Sequence, residues 1–197
     1  PYPVFVLSGL LLWQLFSTSL LQASNSLVNQ QNLLTKVYFP RLILTVSTIF
    51  SNLVDFTIGL FILGGVMVYY HFSPSLFGLL LLPLLVIVTS IFAVGLGLFL
   101  AAVNVKYRDV KYVLPFFVQL LMFLTPVIYP PSILGSYSWI LALNPMTGVI
   151  KAARAGLFDL QPVNWLLLAI STGTSLLVLL GGLIYFKLTE RYFADLI

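Results

Sequence analysis

Nine Lys and Arg, five Asp and Glu and the single His71 are all that this chain offers for proton or metal chemistry near neutral pH. Four of those charges stand together in Asn104-Val-Lys-Tyr-Arg-Asp-Val-Lys-Tyr112, an island made by Lys106, Arg108, Asp109 and Lys111. Asp55 lies alone inside a long apolar run, and Lys151 and Arg154 form an isolated pair three residues apart. General acid–base work needs two titratable groups held against one substrate, and no such pair is visible. With no cysteine and one histidine, neither a disulfide framework nor a Cys or His metal centre can be built. A phosphate-cradling Gly-x4-Gly-Lys-Ser/Thr loop, a His-Glu-x-x-His helix and a Gly-x-Ser-x-Gly elbow are all missing from the sequence. The expectation is a chain with no catalytic residue, no metal and no cofactor of its own.

The elements that must carry these residues are set by the solvent. Of the 197 residues, 60% are hydrophobic and 7% charged, and mean hydropathy is +1.10. Soluble domains run at about 45–50% apolar and about 25% charged, so the surroundings here are lipid. The net charge of +4 is scattered between apolar runs and is not a nucleic-acid footprint. A helical span takes roughly 20 apolar residues to cross about 30 Å of hydrocarbon. The apolar runs place spans at about 4–28, 42–70, 76–103, 113–128 and 165–186, with a turn at His71-Phe-Ser-Pro74. The fold class is all-α: a polytopic helical membrane bundle forming one transmembrane domain.

Orientation follows from the loops. Lys36, Arg41, the island, Lys187 and Arg191 put seven basic residues on one side, against Lys151 and Arg154 on the other. The richer side is cytoplasmic by the positive-inside rule, and the C-terminus lies there. Apolar sequence begins at Val4 behind Pro1-Tyr-Pro3, which resembles neither a translation start nor a signal head. A cytoplasmic start then requires one more span upstream, six in all.

The stretch from 113 to 160 breaks the pattern. Its apolar run is short, about 24 Å of helix, and Pro130-Pro131, Gly135, Asn144-Pro145, Gly148 and Gly156 follow. Pieces of about ten apolar residues suit a re-entrant or interfacial element, so residues 132–158 are read as a re-entrant helical hairpin on the outer side. Asp55 sits about 21 Å along its helix from Arg41, near mid-membrane, with Ser51, Asn52 and Gly59 expected on its face. It is either a packing residue hydrogen-bonded between helices or a group lining a wet path. Gln14 and Gln119 carry the same two readings. Tyr129 and Trp139 fall near an interface, where an aromatic belt accounts for them as well as a conduit does.

Six motifs in order carry a family resemblance: Lys36-Val-Tyr-Phe-Pro-Arg-Leu-Ile43, Leu53-Val-Asp-Phe56, Asn104-Val-Lys-Tyr-Arg-Asp-Val110, Thr125-Pro-Val-Ile-Tyr-Pro130, Asn144-Pro-Met-Thr147 and Glu190-Arg-Tyr-Phe-Ala-Asp195. Together they resemble the permease subunits of type-2 ABC exporters for bacterial polysaccharides, the O-antigen and teichoic acid export group. The resemblance implies a homodimer in the bacterial cytoplasmic membrane, bound to two ATPase subunits that hold ATP and Mg. Its cargo would be a lipid-linked polysaccharide. It further implies a coupling segment at Asn29, Gln30 and Lys36, Val37, Tyr38, Phe39, Pro40, Arg41, and a second contact at Lys106, Tyr107, Arg108 and Asp109. An outer gate would gather Tyr129, Trp139, Asn144, Pro145, Lys151 and Arg154, the last two either facing an anionic polymer or lipid phosphates or simply anchoring the hairpin at the headgroups. A permease for small drugs or lipids, and a membrane scaffold, remain as alternatives.

Overall fold

The computed structural model describes residues 2–30, 40–128, 144–159 and 162–191. Within them the regular structure is all helical: α1 (Tyr2–Asn29), α2 (Arg41–Tyr69), α3 (Leu76–Lys106), α4 (Val110–Leu124), α5 (Pro145–Phe158) and α6 (Trp165–Glu190). Four of these, α1, α2, α3 and α6, are long and apolar enough to cross a membrane. The expected fourth span is instead the 15-residue α4, about 22 Å long. It starts three residues earlier than the apolar run and stops at Leu124, because Pro126 forces the preceding Thr125 into extended backbone (ψ 136°). α3 likewise runs on through Lys106, so the first residues of the basic island are helical.

α3 is the central helix, packed against α1, α6, α5, α2 and α4. Its neighbours come close because small residues line the contacts, the mode of association available where lipid is as apolar as the side chains. A Cβ on Gly182 of α6 would overlap the Gly95 carbonyl of α3, and one on Gly78 of α3 would overlap the backbone at Gly156 of α5. The α1 face toward the bundle is rich in serine, with Ser8, Ser17, Ser19, Ser24 and Ser26 all buried. Several of these hydroxyls bond their own helix, Ser8 to the Phe5 carbonyl (2.9 Å) and Ser26 to that of Ala23 (2.7 Å), which removes polarity from the interface.

Polar contacts fix which helix ends lie together. Asn104 at the end of α3 donates to the Ser24 carbonyl (3.1 Å) and Asn25 Oδ1 (2.9 Å) at the end of α1. Ser26 meets Thr45 of α2 at 2.9 Å, and Arg41 donates to the Glu190 carbonyl at the end of α6 (3.0 Å). The end of α1, the start of α2, the end of α3 and the end of α6 therefore share one end of the bundle, as the loop charges require.

At the opposite end the Ser75 amide donates to Leu157 of α5 (3.2 Å), and the Phe72 and Phe158 rings lie 4.9 Å apart. The Asn144 end of α5 meets Thr125, beyond the short α4, through a 2.8 Å bond. α5, about 21 Å long, thus runs from the Thr125 end of α4 to the end of the bundle opposite the island. It covers part of the stretch expected at 132–158 as a re-entrant hairpin; residues 132–143 of that stretch lie outside the described residues.

Gly181 and Gly182 are adjacent but opposite in surroundings: nothing stands within 4 Å of a Cβ at 181, whereas 182 abuts α3. Gly181→Ala should be neutral or slightly stabilising, since alanine is the better helix former by about 0.8–1 kcal/mol. Gly182→Ala should destabilise by about 1–3 kcal/mol through overpacking. Thermal unfolding of the two variants in detergent compares them; equal melting temperatures would mean that α3 and α6 are not in backbone contact.

Candidate functional site

The basic end presents the island as a tight turn between two antiparallel helices. Lys106 closes α3, Tyr107 caps it by donating to the Val103 carbonyl (2.8 Å), and Val110 opens α4 with a bond back to Tyr107 (3.1 Å). Lys106, Tyr107, Arg108 and Asp109 are all exposed, and the Lys106 ammonium lies 5.2 Å from the centre of the Tyr107 ring. Asn104, read from sequence as part of the same island, is fully buried and belongs to the α1–α3 contact. Asn29, Gln30 and Pro40 are exposed at the same end. Lys36, Val37, Tyr38 and Phe39 lie outside the described residues. Arg41, expected at a coupling surface, is half-buried with its guanidinium on the Glu190 carbonyl, so it also ties α2 to α6.

The end of the bundle opposite the island is organised around Arg154. Only 7% exposed, its side chain turns into the bundle. Nη1 donates to the Pro126 carbonyl (2.7 Å), and Nη2 donates to the carbonyls of Val127 and Phe5 (3.3 Å to the latter). The guanidinium carbon sits 3.6 Å from the centre of the Phe5 ring, a cation–π contact. Gly9 makes the room: a Cβ there would stand 2.6 Å from Nη2. The planar fork of arginine suits several carbonyls at once, here those of Pro126 and Val127 just beyond the end of α4 and that of Phe5 in α1, while its buried Nε has no partner among the described residues. The expectation that Arg154 faces a polymer or lipid phosphates does not describe this side chain. Lys151, one turn earlier, is half-buried.

Asn144 and Pro145 form the start of α5. Asn144 Oδ1 accepts from the Met146 amide (3.0 Å), its Nδ2 donates to Thr125 Oγ1 (2.8 Å), and Pro145 occupies the first helical position. Both are favoured there, asparagine as a cap and proline because its missing N–H would have no partner.

The three mid-membrane polar candidates are not brought together. Asp55, Gln14 and Gln119 are exposed on α2, α1 and α4, and among the described residues none of their side chains makes a hydrogen bond within the chain. The face expected around Asp55 is divided. Ser51 is exposed beside it, whereas Asn52 turns inward to donate to Gln22 Oε1 (3.0 Å) and Gly59 packs on Leu11. Positions three and four residues away flank a residue on opposite sides, and only one flank reaches α1. The interhelical hydrogen bond foreseen for Asp55 is made by its neighbour. Tyr129 and Trp139 lie outside the described residues.

Sequence reasoning missed Asn104, Asn52, Gln22 and Phe5 as contact residues. The signal for the first three was polar amides near span ends; nothing in the sequence marks Phe5.

A polytopic helical bundle with an exposed charged turn at one end and a short helix at the other defines a multi-pass membrane protein. The sequence signature of ABC-2 type transporters matches residues 4–158, and the chain belongs to that family. It is 33% identical over 161 residues to the O-antigen export system permease protein RfbA of Myxococcus xanthus, an alignment covering 80% of this chain and 62% of that protein. Two Klebsiella pneumoniae proteins of the same description are each 25% identical over 197 residues, all of this chain and 76% of theirs.

Replacing Arg154 by Ala strands the carbonyls it serves, at about 1–3 kcal/mol for each group left buried and unpaired. Arg154→Ala should therefore lower the melting temperature in detergent by roughly 4–24 °C, taking about 2–6 kcal/mol for the Pro126 and Val127 carbonyls and about 2–4 °C per kcal/mol. Arg154→Lys, a point donor in place of a fork, should lower it by less. A melt unchanged in Arg154→Ala would show that the guanidinium holds nothing in place.

Proposed function

We propose that this chain is the membrane-spanning subunit of an ATP-driven exporter that moves a lipid-linked polysaccharide of the O-antigen type out of the cytoplasm. It works as a homodimer in the bacterial cytoplasmic membrane, with two separate ATPase subunits docked at the basic end. The single observation that carries this reading is the similarity, over the whole chain, to O-antigen export permeases of the ABC-2 family. The exposed turn from Lys106 to Asp109 supports it, because a subunit without a nucleotide loop needs a surface through which a partner acts.

In this reading the ATPase binds nucleotide and changes its own dimer, and its differential affinity for two states of the membrane subunit drives the transition. The turn carries that difference into the bundle. Asn104, at the root of the turn, links α3 to α1 through two hydrogen bonds, so load applied at the island reaches both helices. Asn29, Gln30 and the segment leading to Pro40 supply the neighbouring contact. Lipid-linked cargo passes on the outer side by α5, whose buried Arg154 holds it against α1 and the end of α4.

The reading is tested with the purified complex in proteoliposomes. Lys106→Glu combined with Arg108→Glu, both on exposed positions, should leave the bundle folded and reduce ATP-dependent polysaccharide transfer at least tenfold. Substrate-stimulated ATP turnover should fall in parallel. Full transfer by the double variant would remove the turn from the coupling path. Failure of the wild-type complex to transfer lipid-linked polysaccharide while transferring another lipid would reassign the cargo.

A further inference from the structure

The turn from Lys106 to Asp109 is rooted in two helices, and they are anchored very differently. On its far side α4 buries only Leu114 and Val118 along its whole length. On its near side α3 buries Ala101, Ala102, Asn104 and Val105 in its last two turns. The apolar members of that set form one cluster with Leu27 of α1 and Phe186 of α6. Such contacts have no preferred direction and let one helix slide on another. A hydrogen bond fixes both distance and direction, and at this root only Asn104 supplies any to another helix among the described residues.

Asn104 is fully buried two residues before Lys106, about 3 Å along the helix. Its Nδ2 donates to the Ser24 carbonyl (3.1 Å) and to Asn25 Oδ1 (2.9 Å). The receiving amide is held from behind, because Asn25 Nδ2 is committed to the Leu21 carbonyl of its own helix (2.9 Å). Its oxygen is thereby turned toward α3. The same stretch of α1 reaches α2 twice, through Ser26 and Thr45 (2.9 Å) and through Gln22 and Asn52 (3.0 Å). From Gln22 to Ser26, α1 therefore joins the root of the turn to α2 by directional bonds.

Packing alone does not account for an amide at this position. Two turns earlier Gly97 of α3 rests on Ala23 of α1 with no polar group between them, so the two helices pack without one. Asn104 Oδ1, moreover, is buried with no partner among the described residues, an unfavourable state for any acceptor. We propose that Asn104 is a positioning residue that passes displacement of the charged turn to α1 and, through α1, to α2. Docking and transmission are then separate tasks. Exposed Lys106 and Arg108 meet the partner, and buried Asn104 carries the movement inward. This rests on the reading of the turn as the ATPase contact.

The two tasks have different signatures in the proteoliposome assay. Charge reversal at Lys106 and Arg108 lowers transfer and ATP turnover together. Asn104→Ala should instead keep the ATPase subunits bound through size-exclusion chromatography and hydrolyse ATP within about twofold of wild type. Polysaccharide transferred per ATP should fall roughly fivefold or more, the range of a typical coupling between sites. Asn25→Ala, which removes the acceptor on α1, should give the same fall. The double variant should lie within about twofold of either single one, because both break one link.

An unchanged ratio in both single variants overturns the proposal. Losses that multiply in the double variant do so too, since they would mark two independent sites. Parallel loss of ATP turnover and transfer in both single variants, or release of the ATPase, would assign the amides to docking or to the fold, with the same consequence. Should the wild-type complex move another lipid in place of polysaccharide, the ratio is taken with that lipid, so an error in the cargo leaves the test intact. Full transfer by Lys106→Glu/Arg108→Glu, with loss confined to the amide variants, would refute the docking reading; the reverse pattern refutes this one.

Discussion

Helices in lipid gain nothing from hiding apolar side chains from one another, because the tails around them are equally apolar. Association must then come from close contact and from hydrogen bonds that lipid cannot supply. In this protein close contact is concentrated on α3. Its backbone touches α6 at Gly95 and Gly182 and α5 at Gly78 and Gly156, and Gly97 rests on Ala23 of α1. Ser8, Ser17, Ser24 and Ser26 of α1 support the same arrangement by returning their hydroxyls to their own helix, so that a polar residue can occupy a tight interface. Remove those small side chains and the remaining surface of α3 is leucine, valine and phenylalanine, which lipid solvates as readily as another helix would.

Hydrogen bonds between helices gather toward the two ends of the bundle. Asn104 with Asn25, Ser26 with Thr45 and Arg41 with Glu190 bind one end, and Arg154 binds the other. Asn52 and Gln22 extend the first set about ten residues inward. Long polar side chains are easiest to satisfy near helix ends, where neighbouring backbone groups are free to pair. Between the ends, packing alone holds the helices, and that is where an aromatic group of Trp13, Phe16 and Phe92 lies.

At about 22 and 21 Å, α4 and α5 are each shorter than a hydrocarbon layer of about 30 Å. Interrupted backbone at membrane depth persists only when protein takes over the lost hydrogen bonds. The segment just beyond α4 is held by Arg154, which meets the carbonyls of Pro126 and Val127. The start of α5 is served by Asn144, and Thr125 joins the two breaks through its hydroxyl. The short α5 is therefore held from both directions, by a cap at its start and a buried cation nearer its end.

Sequence by itself determined the solvent, the order and place of the four long apolar helices, and which of their ends share a side, while the fifth run it offered as a span is the shorter α4. Composition and charge placement are enough for that, because a span needs only length and apolarity and loops need only a charge bias. The break at Asn144-Pro145 was legible because proline acts on its immediate neighbours, whereas the one at Thr125-Pro126 falls inside the span expected at about 113–128 and was read through, although the same local rule ends α4 there. Tertiary structure alone decided which way the polar residues turn. Arg154 faces inward, Asp55 outward and Asn104 away from the island it begins, because facing depends on which flank of a helix meets another helix. That choice is made by contacts between residues such as Phe5 and Arg154, 149 positions apart, and no local pattern records it.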